Sequence, residues 1–276
     1  MYSEPIKTIK NMKRLITLIS AVLVLASCAQ MNPAYLLSGG SKVLQAATLT
    51  DEQIQGYCSQ YVQQLDAQSA VLPETSAYVK RVRNMTKNFT SVDGIPLNFK
   101  VYSTRDVNAF ACADGSVRVY SGLLDVMTDD EVLGVIGHEI GHVAMRHSKK
   151  QFKQALLTSA LRDAVVSTGG TIAALSASQL GDLGEALMSA KYSRKQENEA
   201  DDYGYAFLKE HGKNPWAMAM AFEELLTLST GSASAGTQAA ANSAVSEIFS
   251  DHPATESRIQ RMSAKATADG FKRPSK

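Results

Sequence analysis

The sequence predicts an α+β domain that is mostly helical and contains one small antiparallel sheet. Three capping boxes, in which serine or threonine precedes glutamine or glutamate by three residues, begin helices at Thr50, Thr128 and Ser193. A stretch between residues 97 and 120 alternates apolar and polar side chains as half-buried strands do. The chain has 276 residues, of which 45% are hydrophobic, and this is enough for one packed core plus a targeting segment.

Residues 1–27 are predicted to be a signal peptide of the lipoprotein type. Basic residues precede an apolar run, Leu15 to Ala26, that is too short to span a bilayer comfortably. The run ends in Leu25-Ala26-Ser27-Cys28, which resembles the bacterial lipobox, and Cys28 would then become the lipidated first residue. An ordinary secretory signal with a coincidental cysteine is the alternative.

This assignment divides the rest of the chain into a lipid-anchored tether (28–48), a main domain (49–266) and a polar tail (267–276). Ala29 stands where inner-membrane lipoproteins usually carry aspartate, so the resemblance favours the outer membrane, facing the periplasm. The net charge is +1 and the sequence has no basic stripe, so nucleic acid is not an expected partner.

The main domain begins with two helices, one capped by Thr50 and one running from about Glu74 to Phe89. Two cysteines remain after the signal peptide, and Cys58 lies on the buried stripe of the first helix. In an oxidising periplasm Cys58 and Cys112 either form a disulfide, which is the preferred interpretation, or remain two buried thiols.

Three strands are predicted next, at 97–102, 107–112 and 116–120. Asp114-Gly115 predicts a hairpin between the second and third strands. We therefore expect an antiparallel meander. Its edge strand could pair with an extended peptide, although strands that only pack the core are the more common outcome.

The stretch Gly137-His138-Glu139-Ile140-Gly141-His142 is the centre of the prediction. On a helix its two histidines lie about 40° apart around the axis and about one turn apart along it, so both imidazoles can bind one metal ion. Glu139 lies beside the first histidine, where its carboxylate can take a proton from water at the ion's open position. Apolar residues all round the helix indicate burial, and three glycines on one face indicate close approach of another element. The alternative is an exposed helix with two solvated histidines.

After this helix, residues 151–166 are amphipathic and residues 171–190 are interpreted as a mobile helical segment or lid. A capped helix then covers about 194–211. Pro253 suits the first position of a final helix, which leaves His252 in the preceding loop.

Tetrahedral catalytic zinc needs a third protein ligand. Five side chains are candidates: His147, His211, His252, Glu197 and Glu199. His147 would lie about 140° round a continuous helix from the second motif histidine, so it is interpreted as a surface or core histidine. His211 is interpreted as a favourable partner of a helix dipole.

The order of these motifs resembles the family of zinc metallopeptidases that contains HtpX, the CAAX prenyl protease and periplasmic lipoprotein members. H-E-x-x-H is followed about fifty residues later by E-x-x-A-D, which begins at Glu197, and then by H-P-x-x-x-x-R, which ends at Arg258. The similarity extends back to Asn108-Ala109-Phe110, and the segment 192–203 is most similar to the periplasmic members.

The resemblance implies a zincin-like metallopeptidase domain in which His138, His142 and Glu197 bind one zinc ion. It implies that Asp201, one helical turn after Glu197, accepts a hydrogen bond from a ligand histidine and fixes its tautomer. Glu199 is then a surface acid.

The resemblance also implies that His252 stabilises the tetrahedral oxyanion by hydrogen bonding. In the rival interpretation His252 occupies the open position of the zinc ion and silences the enzyme. Arg258 would orient this loop or a nearby carboxylate. The substrate-facing strand maps to Asn108-Ala109-Phe110, although Cys112-Ala113-Asp114-Gly115 departs from the glycine-rich apolar turn expected there.

The predicted activity is hydrolysis of peptide bonds within protein chains, with Glu139 activating water and then protonating the leaving amine. By resemblance, the substrates are misfolded or misassembled envelope proteins, and the outer-membrane assembly machinery is a further candidate partner. A metal-stabilised chaperone or assembly factor with little proteolysis is the rival from another class. A lipoprotein with a purely structural metal site is a weaker rival.

Overall fold

The computed structural model describes residues 50–158, 175–188, 191–230, 252–253 and 255–275. The predicted signal peptide, Cys28 and tether lie outside these ranges. Within them the helices are α1 (Asp51–Gln68), α2 (Ala77–Thr86), α3 (Ser121–Val126), α4 (Asp129–Ala144), α5 (His147–Thr158), α6 (Ala177–Met188), α7 (Arg194–Glu210), α8 (Trp216–Ser229) and α9 (Glu256–Ala268). The strands are β1 (Ser91–Val92), β2 (Ile95–Pro96), β3 (Asn98–Tyr102), β4 (Ala109–Ala111) and β5 (Ser116–Tyr120). The predicted class, α+β and mostly helical, is confirmed.

The main sheet is mixed, which corrects the predicted antiparallel meander. Its strand order is β3-β5-β4, with β3 parallel to β5 and β4 antiparallel to β5. The hairpin between β4 and β5 forms as expected, but the chain after β3 crosses to the far edge of β5. Hydrogen bonds at Thr104 hold this crossover, because its carbonyl accepts from Ser121 Oγ at 2.7 Å and from the Gly122 amide at 2.9 Å. Alternation of side chains cannot distinguish these pairings, since strands of either direction have the same period.

Helix α4 lies at the centre of the core, with α7 and α8 packed across it. Thr128 forms the predicted capping box, and α4 is buried along almost its whole length. A methyl group added at Gly141 would collide with the Ala200 carbonyl of α7, and one added at Gly134 would collide with the Ala217 carbonyl of α8. The glycines therefore allow close approach to α4, as predicted, but two helices approach it where the spacing predicted a single element.

Helix α8 was not assigned from the sequence, because its apolar residues leave no single stripe to detect. Its eight buried side chains fill the core beside α4. The predicted polar tail returns to this helix: Trp216 Nε1 donates to the Phe271 carbonyl at 2.9 Å, and Arg273 Nη1 donates to Glu223 at 3.1 Å.

A second apolar cluster joins α1, α5 and α6, through side chains that include Ile54, Phe152 and Leu183. The predicted lid segment thus contains a helix, α6, that packs on the first helix of the domain. Helix α2 is shorter than expected, since Ser76 is its N-cap residue. Across the described ranges, no helix has the length and apolar character that a membrane span requires.

Candidate metal centre

Two histidines on α4 and a glutamate on α7 bring their ligand atoms together where these helices cross. His138 Nε2 and His142 Nε2 lie 3.0 Å apart. The carboxylate of Glu197 lies 3.5 Å from the first nitrogen and 3.4 Å from the second. His252, from the loop before α9, places its Nδ1 3.1 Å from both His138 Nε2 and Glu197 Oε1. One ligand atom from each of these four residues lies within 4.8 Å of the other three.

The chemistry of this donor set fits a metal cation. Asp201 lies 2.9 Å from His138 Nδ1, so that nitrogen carries the proton and Nε2 keeps its lone pair. Imidazole lone pairs and a carboxylate directed at one point repel each other unless a cation lies between them. Around an ion such as zinc, tetrahedral ligand atoms lie about 3.3–3.5 Å apart, which is close to the spacing found here.

Asp201 is the centre of a buried ion-pair network behind His138. Its side chain is fully buried and accepts hydrogen bonds from Arg258 Nε at 2.9 Å, Arg258 Nη2 at 2.6 Å and Arg261 Nη2 at 3.1 Å. Burial alone would raise the pKa of Asp201, but the bonds from His138 and Arg258 outweigh burial and hold the pKa well below its usual range. Asp201 is therefore a charged acceptor, suited to fix the tautomer and ring orientation of His138.

Glu139 faces the metal group from the side of the sheet. Its Oε2 accepts a hydrogen bond from the Ala111 amide of β4 at 3.2 Å. Its Oε1 is buried without a hydrogen-bond partner and lies 3.7 Å from His252 Nε2. One oxygen of this carboxylate is thus held in place while the other is free to accept a proton.

Arg258 contacts both groups that the sequence analysis proposed for it. Its Nη1 donates to the Pro253 carbonyl at 2.8 Å and forms an ion pair with Glu197 Oε2 at 2.7 Å. The final helix begins at Glu256 with Thr255 as its N-cap, so the predicted start at Pro253 is wrong. Pro253 therefore belongs to the loop that carries His252, and Arg258 bonds to it there.

Strand β4 contains most of the predicted substrate strand and lies at an edge of the main sheet. Asn108 precedes it, is buried, and accepts a hydrogen bond from the Ala109 amide at 2.8 Å through its own Oδ1. Phe110 lines a pocket that also reaches Glu139 and His252.

The predicted disulfide does not form, since Cys58 and Cys112 are both free and buried. The two thiols line the same pocket as Phe110, where buried cysteines pack as small apolar side chains without needing a covalent bond. Burial raises the pKa of Cys58 to about 12, so this thiol is protonated and unreactive at neutral pH.

Two side chains that were set aside as metal ligands, His147 and Glu199, do lie outside the ligand group, but they contact it through His142. His147 is fully buried, with its Nδ1 3.1 Å from His142 Nδ1 and its Nε2 3.1 Å from Glu199 Oε2. The angle of about 140° between His142 and His147 holds only for one continuous helix. Helix α4 ends at Ala144, and Arg146 has a positive φ of 58°, which turns the chain back toward the site.

Sequence comparisons agree with this geometry. The profile of peptidase family M48 matches residues 74–266, a range that includes every ligand candidate. The chain is 42% identical to Metalloprotease LoiP of Escherichia coli (strain K12) over 263 residues, which are 95% of this chain and 100% of that protein. It is 37% identical to Metalloprotease YcaL of the same organism over 257 residues, 92% of this chain and 96% of that protein.

A more distant relative is the Beta-barrel assembly-enhancing protease of Escherichia coli (strain K12). It is 28% identical over 211 residues, which are 72% of this chain and 41% of that longer protein. The resemblance inferred from the three sequence motifs is confirmed. The chain belongs to peptidase family M48 and is a metalloprotease.

Proposed function

We propose that this metalloprotease is a zinc endopeptidase, lipid-anchored at the outer membrane and facing the periplasm, which hydrolyses misfolded or misassembled envelope proteins. The observation that carries the proposal is the convergence of His138, His142 and Glu197 beside a Glu139 oxygen that has no hydrogen-bond partner. Two imidazoles and one carboxylate, without thiolates, are the ligand set of catalytic zinc in several hydrolases.

The residues of the chain divide the work of hydrolysis. A zinc ion bound by His138, His142 and Glu197 would polarise the scissile carbonyl and acidify the attacking water. Glu139 accepts the proton of that water at its free Oε1 and passes it to the leaving amine nitrogen. The Ala111 amide holds Oε2 during both transfers, which keeps the carboxylate aimed at the reacting atoms.

The substrate backbone would pair with β4, since this edge strand reaches Glu139 through Ala111. The adjoining pocket would receive an apolar substrate side chain, because Tyr61, Phe110 and Leu187 form part of its wall. Unfolded chains expose both extended backbone and apolar side chains, and folded proteins expose little of either. This preference supports misfolded envelope proteins as the substrate class.

We propose that His252 holds the fourth ligand position in the resting enzyme, which is the silencing alternative, and leaves it when a substrate binds. The placement of its Nδ1 at 3.1 Å from His138 Nε2 and Glu197 Oε1 supports this assignment over a purely oxyanion-binding role. His252→Ala should then cleave unfolded substrates faster than the parent. Slower cleavage, by about 100-fold or more, would instead indicate loss of an oxyanion donor.

The location rests on the lipobox-like sequence that ends at Cys28. The assembly machinery of outer-membrane proteins is a candidate partner, since one relative is a β-barrel assembly-enhancing protease. Mass spectrometry of the membrane-extracted protein tests the anchor directly. A mature N-terminus at Cys28 carrying acyl chains is the expected result, and an unmodified N-terminus elsewhere would refute it.

Casein cleavage tests the catalytic assignment. We expect the mature protein to cut casein and to contain one zinc ion per chain, and Glu139→Gln to keep the zinc ion but lose cleavage by orders of magnitude. Glu210→Gln, an exposed substitution on α7, is the matched control and should cut normally. If Glu139→Gln fully replaces the parent protein in cells although it does not cut casein, the chaperone or assembly-factor alternative is correct.

A further inference from the structure

We infer that His147 and Glu199 position the metal ligand His142, as a second hydrogen-bonded relay beside the one that Asp201 provides for His138. This inference rests on the metal centre described above. It assigns a function to two residues that the motifs leave outside the site.

The relay is continuous from the ligand to the protein surface. His147 Nδ1 lies 3.1 Å from His142 Nδ1, and His147 Nε2 lies 3.1 Å from Glu199 Oε2. The imidazole of His147 is fully buried, and 31% of the Glu199 side chain is exposed. Glu199 follows Glu197 by two residues on α7, so one helix supplies both a ligand to the ion and the last member of this relay.

The protons of the relay have one arrangement that is compatible with metal binding. His142 directs Nε2 at the other ligand atoms, so its proton lies on Nδ1. His147 Nδ1 must then accept that proton in a hydrogen bond, which requires the neutral tautomer of His147 with its proton on Nε2. Glu199 is a carboxylate that can accept from this Nε2–H, and it therefore favours the tautomer that the metal ligand needs.

The relay differs from the Asp201 network in the group that accepts the Nδ1 proton of the ligand histidine. Asp201 contacts His138 directly and is fixed by two arginines. His142 instead contacts a neutral imidazole, because the left-handed turn at Arg146 places a histidine there. Each α4 ligand thus has its own acceptor at Nδ1, so removal of one relay should leave the orientation of the other histidine intact.

Substitutions at His147 separate hydrogen bonding from packing. His147→Leu fills the space but cannot accept from His142. His147→Asn keeps an oxygen acceptor near the position of Nδ1. We expect the zinc affinity of the full-length protein, measured by competition with a chelator, to fall about 10–100-fold in His147→Leu and to stay within a few-fold of the parent in His147→Asn. The visible absorption of the cobalt-loaded protein should change in the leucine variant alone.

Glu199→Ala tests the same relay without altering the core, and Glu210→Ala, at an exposed position of the same helix, is its control. We expect Glu199→Ala to weaken zinc binding and Glu210→Ala to leave it unchanged, with the thermal midpoint of the metal-free protein unaffected in both. Equal zinc affinity in the parent, His147→Leu and Glu199→Ala would overturn the inference. A parent that binds no zinc would instead overturn the metal site itself.

Discussion

Replacement of Asp201 by asparagine should destabilise the metal-free domain far more than the same change at the adjacent Asp202. Arg258 is 5% exposed and loses a charged partner in Asp201→Asn, and breaking a buried ion pair costs about 3–5 kcal/mol. Glu197 still forms an ion pair with Arg258 at 2.7 Å in this variant. We therefore expect the unfolding free energy to fall by about 3 kcal/mol, the lower end of that range. For a domain of this size, that loss lowers the thermal midpoint by about 6–12 °C.

Asp202→Asn is the matched control because its side chain is half exposed. It forms ion pairs with Arg261 at 2.8 Å and Lys265 at 2.7 Å, and exposed pairs of this kind contribute about 0–1 kcal/mol. Thermal unfolding in the presence of a chelator measures both variants without the contribution of bound metal. If the two variants melt at the same temperature, the buried network does not stabilise the fold and the reasoning from burial is wrong.

Three further predictions concern other parts of the domain. Gly141→Ala should destabilise the domain by about 1–3 kcal/mol, because the added methyl group would collide with α7. Gly181→Ala is the control and should be neutral or stabilising, because no neighbouring atom lies within 4 Å of its added methyl group. Urea unfolding measures the change in unfolding free energy for both. Burial would raise the pKa of Asp66, but hydrogen bonds from Arg118, Lys100 and Tyr102 lower it to about 2. The Asp66 carboxylate therefore stabilises the fold above pH about 4, and this stabilisation is lost progressively as the pH falls toward 2. Between these pH values, the unfolding free energy of Asp66→Asn should depend less on pH than that of the parent. Cys58 and Cys112 should react with iodoacetamide only after unfolding, and a disulfide in unreduced protein would contradict this.

Local sequence signals predicted most of the elements that form the site. Each of the three capping boxes begins a helix in the structure. The apolar character of α4 predicted its burial, and its glycines predicted the close approach of other helices. These features were predictable because each depends on residues within one or two helical turns.

Features that depend on chain reversal were not predictable in the same way. The order β3-β5-β4 is set by the crossover held at Thr104, and the alternation of the strands does not record it. The contact of His147 with His142 was not predicted, because a positive φ at Arg146 interrupts the helix between the two residues. The disulfide was predicted from the oxidising periplasm and the even number of remaining cysteines. The packing of the two thiols in an apolar pocket is instead a property of the folded core.

The contact between Gly141 and Ala200 links the stability of the domain to the geometry of its metal centre. Ala200 lies between Glu199 and Asp201, so this point of close approach between α7 and α4 is flanked by the acceptor of each histidine relay. A shift of α7 would move both carboxylates and the proposed ligand Glu197 together, since all three lie on this helix. Substitution at Gly141 should therefore lower stability and metal affinity in parallel, whereas loss of the His147 relay should lower metal affinity alone.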